Sequence, residues 1–231
     1  MTDNHDARIQ GENRIDRQDQ GADGKAVPVK VASGPRLRWR VVDIAVASLI
    51  GVACALIYQL AALVTSVPWS VINGLLPGLA GLLNGLWLFA GPLAIVIVRK
   101  PGAALYGELV AAILESLMGN QWVPAKTLGI GLVQGALAEV VFLALRYRKW
   151  NLATTCLSGA ASALGCWAFS FFTHLQAINL VGPYGITYLV TTVLSGVLFA
   201  GVMVWYLYRA IARTGALERF ESGRDINRRR G

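Results

Sequence analysis

Val41-Val-Asp-Ile-Ala-Val-Ala-Ser-Leu-Ile-Gly-Val-Ala-Cys-Ala-Leu-Ile-Tyr-Gln-Leu-Ala-Ala-Leu-Val64 is long enough and apolar enough to cross a bilayer, and it carries a single charge, Asp43. A span needs about 20 such residues. Blocks of the same kind continue to Tyr208, and between Val41 and Tyr208 the carboxylates are Asp43, Glu108, Glu115 and Glu139. A carboxylate in hydrocarbon costs roughly 2.5–3.5 kcal/mol or more unless it is paired or solvated. The pattern therefore gives an all-α, polytopic membrane protein and marks its few buried acids as the places to look for function.

Composition agrees. The mean hydropathy is +0.52, and charged residues make up 15% of the chain, against about 25% in soluble domains. The net charge of +8 sits mainly at the ends of the apolar blocks, where it sets topology. It forms no continuous basic face of the kind a nucleic acid needs. Cys54, Cys156 and Cys166 lie inside apolar blocks with no CxxC spacing and no histidine at ligand distance, so they read as small packing residues and no metal or cofactor is expected. Residues 1–35 are polar and nearly empty of large apolar side chains; they read as a disordered cytoplasmic tail. Residues 214–231 read as a basic cytoplasmic tail, leaving 36–213 as the membrane domain.

Six spans are expected: Val41–Val64, Leu75–Val98 with a re-entrant start near Asn73–Pro77, Ala103–Met118, Thr127–Leu145, Leu152–Thr173 and Tyr184–Tyr208. An even count puts both termini on one side. Arg36, Arg38, Arg40, Arg99, Lys100, Arg146, Arg148, Lys149, Arg209 and Arg213 fall on that side and Lys126 on the other, which makes the first side cytoplasmic. Ala47, Gly51 and Ala55 recur every four residues, as do Gly74/Gly78 and Gly81/Gly85. Such small faces let helices approach closely. For Ala47, Gly51 and Ala55 two readings stand: packing within the bundle, or a smooth outer stripe that docks another membrane protein.

GxxxxGK[ST], HExxH and GxSxG are absent, so the commonest ATP-binding, intramembrane protease and serine-hydrolase signatures are missing. A non-enzymatic binding or transport role remains. Glu108 and Glu115 are two helical turns apart, on one face with Ala111 and Ala112 between them. Gln134 sits at comparable depth on the antiparallel fourth span, with Glu139 deeper. Asn84, Trp122, His174 and Tyr184, with Gln59, Asn120 and Tyr188, fall toward the outer side. Together these residues suit a planar, cationic ligand: carboxylates pair its charge and ring faces attract it by roughly 0.5–2 kcal/mol. Simpler roles exist for several: an interfacial aromatic belt for Trp69, Trp122 and Tyr184, a plain interface histidine for His174, an ion pair with Arg146 for Glu139, and a surface-facing counter-charge for Asp43. A self-sufficient carrier or channel for an organic cation is the alternative to a binding subunit.

Three stretches carry a family resemblance. They are Val98-Arg-Lys-Pro-Gly-Ala-Ala-Leu-Tyr-Gly-Glu-Leu-Val-Ala-Ala112, Gly131-Leu-Val-Gln-Gly-Ala-Leu-Ala-Glu-Val-Val-Phe142 with Arg146-Tyr-Arg-Lys149, and Ala212-Arg-Thr-Gly-Ala-Leu217. In combination they resemble the YkoE family of substrate-binding subunits of energy-coupling-factor transporters, over nearly all of Trp39 to Phe220. The resemblance implies a six-helix bundle in a bacterial cytoplasmic membrane that takes thiamine or its hydroxymethylpyrimidine precursor from the exterior. It also implies a transmembrane coupling protein and two ATP-binding cassette subunits as partners. Small residues on the first helix commonly make the coupling contact, and Ala47, Gly51 and Ala55 match that pattern.

Overall fold

The computed structural model describes residues 37–120, 122–173 and 175–228, and these are helical with short connections. The first helix, α1 (Val41–Leu75), spans 35 residues, well beyond the segment expected from hydropathy. Its start is tied by Asp43, whose carboxylate accepts the backbone N–H of Arg40 at 2.9 Å and its guanidinium at 2.8 Å. Asp43 is a counter-charge, but it is fully buried rather than surface-facing, because it must reach back to the unpaired N–H at the helix start.

After α1 the chain turns at Gly78 (φ 90°), a left-handed conformation that glycine adopts without cost. A 3-10 segment, Leu79–Trp87, then leads through a 40° bend into α2 (Ala90–Val98). Irregular backbone at membrane depth survives only where protein satisfies it, and here a polar stripe on the sixth helix does so. Asn84 donates to Tyr188 and Thr192, both at 2.9 Å. Gly85 N–H donates to Ser195 at 2.9 Å, and Thr191 donates to the Gly78 carbonyl at 2.9 Å. A Cβ at Gly81 would lie 2.3 Å from the Thr191 hydroxyl, and one at Gly85 2.3 Å from that of Ser195, so the small residues serve this close approach.

The remaining elements are α3 (Ala103–Met118), α4 (Pro124–Ala144), α5 (Leu152–Thr173), α6 (Pro183–Arg213, wound as a π-helix over Gly196–Met203) and α7 (Glu221–Arg228). Among the described residues four helices are long and apolar enough to cross a membrane, or five if the bent Leu79–Val98 pair is one span. α3 has 16 residues, about 24 Å at 1.5 Å per residue, and falls short of that test. The π winding lies where α6 presses on α5: a Cβ at Gly159 would meet the Gly196 carbonyl at 2.5 Å.

α1, α3, α4, α5 and α6 pack in sequence around α2, all nine of whose residues are buried. One end of α2 is closed by the chain's last segment. Ser222 donates to the Ile97 carbonyl at 2.7 Å, and Tyr208 donates to the Ser222 carbonyl at 2.6 Å. Arg99 pairs with Asp225, and its guanidinium lies 5.0 Å from the centre of the Trp150 ring. Leu217 and Phe220 are buried here too, so much of the stretch read as a basic tail is part of the bundle. The tail 1–35 lies outside the described residues.

The stripe on α1 faces inward. Ala47, Gly51 and Ala55 are buried, and a Cβ on Gly51 would lie 2.7 Å from Val110 Cβ and 3.0 Å from the Gly107 carbonyl. This corrects the expectation of an outer docking surface at these three residues. The close neighbour that their smallness admits is α3 of the same chain.

Candidate functional site

A cavity of about 410 Å³ lies at the end of the bundle away from Arg99. α1 lines it with Tyr58, Thr65, Trp69 and Ser70, and the 3-10 segment with Asn84 and Trp87. Three residues per turn put side chains three apart in line, which is how Asn84 and Trp87 reach the same space. α3 contributes Glu108, Ala112 and Glu115, the face anticipated from their spacing. Trp122, then Lys126, Thr127 and Gln134 of α4, Cys166 and Ser170 of α5 and Tyr188 of α6 complete most of the wall.

The two acids on α3 are held differently. Glu108, 2% exposed, accepts the Gly91 N–H at 2.6 Å and the Tyr58 hydroxyl at 3.2 Å. The Tyr58 hydroxyl in turn accepts the Ala90 N–H at 2.8 Å. Glu108 therefore caps the start of α2, where unpaired N–H groups and the helix dipole favour a negative charge. Glu115 is 3% exposed, yet its Oε1 has no hydrogen-bond partner. Over 90% of buried polar groups in folded proteins are satisfied, so this oxygen is suited to a donor that enters the cavity.

Of the eight ligand-contact residues expected from sequence, Glu108, Glu115, Gln134, Trp122 and Asn84 share the cavity wall. Asn84 has its amide nitrogen engaged by Tyr188 and Thr192. Tyr184 stands behind the wall, stacked on Tyr188 with ring centres 5.9 Å apart. His174 lies outside the described residues. Glu139 is elsewhere: its carboxylate accepts Gly102 N–H at 2.7 Å, Ala104 N–H at 2.8 Å and the Tyr147 hydroxyl at 2.7 Å. It caps α3 and clasps the turn after α4, and its partner is Tyr147 rather than Arg146. Burial and the neighbouring carboxylate raise the Tyr147 pKa, which keeps the phenol a donor.

That clasp holds a strained turn. Arg146 and Tyr147 both have positive φ (51° and 54°), a conformation that costs L-residues roughly 1–2 kcal/mol each. Phe142 stacks on Trp150 at 4.9 Å, and the Trp150 indole N–H reaches the Tyr147 carbonyl at 3.1 Å. Glu139→Ala leaves three donors without their acceptor. Because Gly102 is half-buried and water can reach it, the expected loss is about 2 kcal/mol. Thermal unfolding in detergent measures this, and ligand affinity at a temperature where the variant stays folded should not change.

Sequence reading missed Tyr58 and Trp87. Nothing in the sequence ties Tyr58 to Glu108, 50 residues away, and Trp87 lines the cavity from the 3-10 segment, whose winding hydropathy does not reveal. Among the described residues no group of three or more His, Cys, Asp or Glu is placed to hold a metal ion.

A helical bundle of membrane-crossing segments around a carboxylate- and tryptophan-lined cavity is the architecture of a membrane transport protein that binds a small molecule. The model of a family described as the permease component of an ABC-type cobalt transport system matches residues 42–165. The putative HMP/thiamine permease protein YkoE of Bacillus subtilis is 32% identical over 197 residues, 83% of this chain and 94% of that one. A crystal structure of an S-component of an ECF transporter is similar with a TM-score of 0.76 and 32% identity, over 84% of this chain and 95% of that one. The chain belongs to the YkoE family of energy-coupling-factor S components.

Proposed function

We propose that this chain captures thiamine, or its hydroxymethylpyrimidine precursor, from outside a bacterial cell and presents it to an ATP-driven coupling module. The observation that carries the reading is Glu115: a buried carboxylate oxygen without a partner, in a cavity walled by Trp69, Trp87 and Trp122. An aminopyrimidine supplies an N–H to Glu115 Oε1, beside the Asn120 and Trp87 side chains that also face this carboxyl, and Gln134 lines the same cavity. The flat thiazolium of thiamine suits the tryptophan faces. At about 410 Å³ the cavity is within the range of drug-sized ligand pockets, roughly 300–1,000 Å³. This size favours the two-ring vitamin over the single ring.

In this reading the bundle has six spans, with Leu79–Val98 crossing as one broken span and α3 as a short one. Both ends of the chain face the cytoplasm, since the basic residues Arg38, Arg99, Arg146, Arg148, Lys149, Arg209 and Arg213 collect on that side. The cavity then opens outward from the bacterial cytoplasmic membrane. A transmembrane coupling protein and two ATP-binding cassette subunits supply the energy, and ATP hydrolysis is theirs. The contact with the coupling protein must use residues other than Ala47, Gly51 and Ala55.

Calorimetric titration of the detergent-purified chain tests the reading. The expected result is binding of thiamine, weakened roughly ten- to hundredfold by Glu115→Gln, the range for losing a hydrogen bond to a charged group. Absence of binding by either vitamin overturns the function. Full affinity in Glu115→Gln overturns the assignment of Glu115.

A further inference from the structure

Lys126 is the sole Lys or Arg among the described residues that line the cavity, and it stands half-buried in the first turn of α4. From sequence it served only as a marker of topology. Its ammonium takes part in no ion pair among the described residues. Glu115, in the last turn of α3, has Asn120 and Trp87 as its polar neighbours instead. The first turn of α4 holds no acidic residue, and the partial positive charge of a helix start has the same sign as the lysine. The end of α3 carries the opposite partial charge, on the side of Glu115. The part of the cavity farthest from Arg99 therefore has a negative side on α3 and a positive side on α4. Gln134 lies deeper, about 12 Å further along α4 by the helical rise. A ligand that is only a cation meets attraction from Glu115 and repulsion from Lys126 in one space, and like charges set face to face cost affinity. A ligand that carries a cation and an anion suits both sides.

We infer that Lys126 is an anion-reading residue of this cavity and that the chain accepts the phosphate monoester of thiamine as well as the free vitamin. The inference rests on the vitamin reading above and extends its substrate class to phosphate esters. Thiamine becomes a ligand of both signs when the hydroxyl of its flexible tail is esterified to phosphate, with the thiazolium as the cation. Lysine meets phosphate as a point charge with three rotatable donors. It needs no fixed fork geometry, which suits a group at the end of a swinging tail. Because Lys126 is half-exposed, salt screens its attraction. The headgroup phosphate of a lipid offers the same chemistry to a lysine near the membrane surface, so the test separates the two sources.

The test titrates thiamine and thiamine monophosphate into the full chain, as wild type, Lys126→Gln and Lys126→Arg, at low salt in a detergent without phosphate. Wild type should bind the ester at least as tightly as thiamine. Lys126→Gln should lose roughly tenfold in affinity for the ester and nothing for thiamine, the lower end of the range for a hydrogen bond to a charged group. Lys126→Arg should keep the ester, and added salt should weaken ester binding in wild type more than in Lys126→Gln. Equal effects of Lys126→Gln on both ligands, or no effect on either, overturn the assignment. So does a wild-type chain that binds thiamine and excludes the ester. A second set of titrations uses nanodiscs of phosphatidylglycerol. An ester-specific effect of Lys126 that is seen in detergent and vanishes there assigns the lysine to the lipid and overturns the subsite. Failure of the vitamin reading looks different: wild type then binds neither thiamine nor hydroxymethylpyrimidine.

Discussion

Glu108→Leu should lower stability by about 2–6 kcal/mol, because the buried Gly91 N–H and Tyr58 hydroxyl each lose an acceptor, at about 1–3 kcal/mol apiece. Glu108 lies between the backbone of α2 and the cavity floor: Gly91 Cα stands so near that an added Cβ would lie 3.2 Å from its carboxylate. Glu108→Gln keeps an acceptor oxygen and should recover much of the loss, which separates the hydrogen bonds from the charge. Tyr58→Phe removes one of the same two bonds, so the double variant Glu108→Leu/Tyr58→Phe should fall short of the sum of the singles. Thermal unfolding in detergent reads all four proteins. A Glu108→Leu variant that melts like wild type would show that α2 does not depend on this cap.

The second large effect is expected at Gly51. Leucine there meets Val110 and the Gly107 carbonyl at distances no side chain tolerates, so α1 and α3 must separate. Overpacking costs about 1–3 kcal/mol and occasionally more, and the contact with backbone puts this position at the upper end. α1 and α3 carry Tyr58, Glu108 and Glu115, so ligand affinity should fall together with melting temperature. Gly51→Leu with an unchanged melting temperature would return the stripe to the outside of the bundle.

For the α1 stripe the structure takes the first of the two readings the sequence left open, packing within the bundle, and the reason the sequence could not choose is physical. A repeat of small residues reports that something approaches closely, not which partner does. Hydrophobic blocks bounded by glycine, proline or charge were legible: Ala103–Met118 and Leu152–Thr173 are the helices read from sequence. Where the pattern gives only hydropathy, the structure departs from it. α1 runs on to Leu75, and the block after it winds as a 3-10 helix before it becomes α2. The site follows the same division. Glu108, Glu115 and Gln134 stood out because polar groups are rare in apolar helices. Glu139 stood out for the same reason, yet its partners are two backbone N–H groups at a turn and a tyrosine, none of which announces itself. Trp87 was hidden because its direction depends on whether a turn holds 3.0 or 3.6 residues.

The closure of α2 by the chain's last segment has a consequence for how the protein is made. Ser222 reaches Ile97 across 125 residues of sequence, and Asp225 reaches Arg99 across 126. Ribosomes add roughly 5–20 residues per second, so the interval between making Ile97 and making its partner is about 6–25 s by that rate. During that time this end of the core helix lacks both partners, while α3, α4, α5 and α6 are still being made. Ser222 and Asp225 therefore complete the cap of α2 only after α6 has been made.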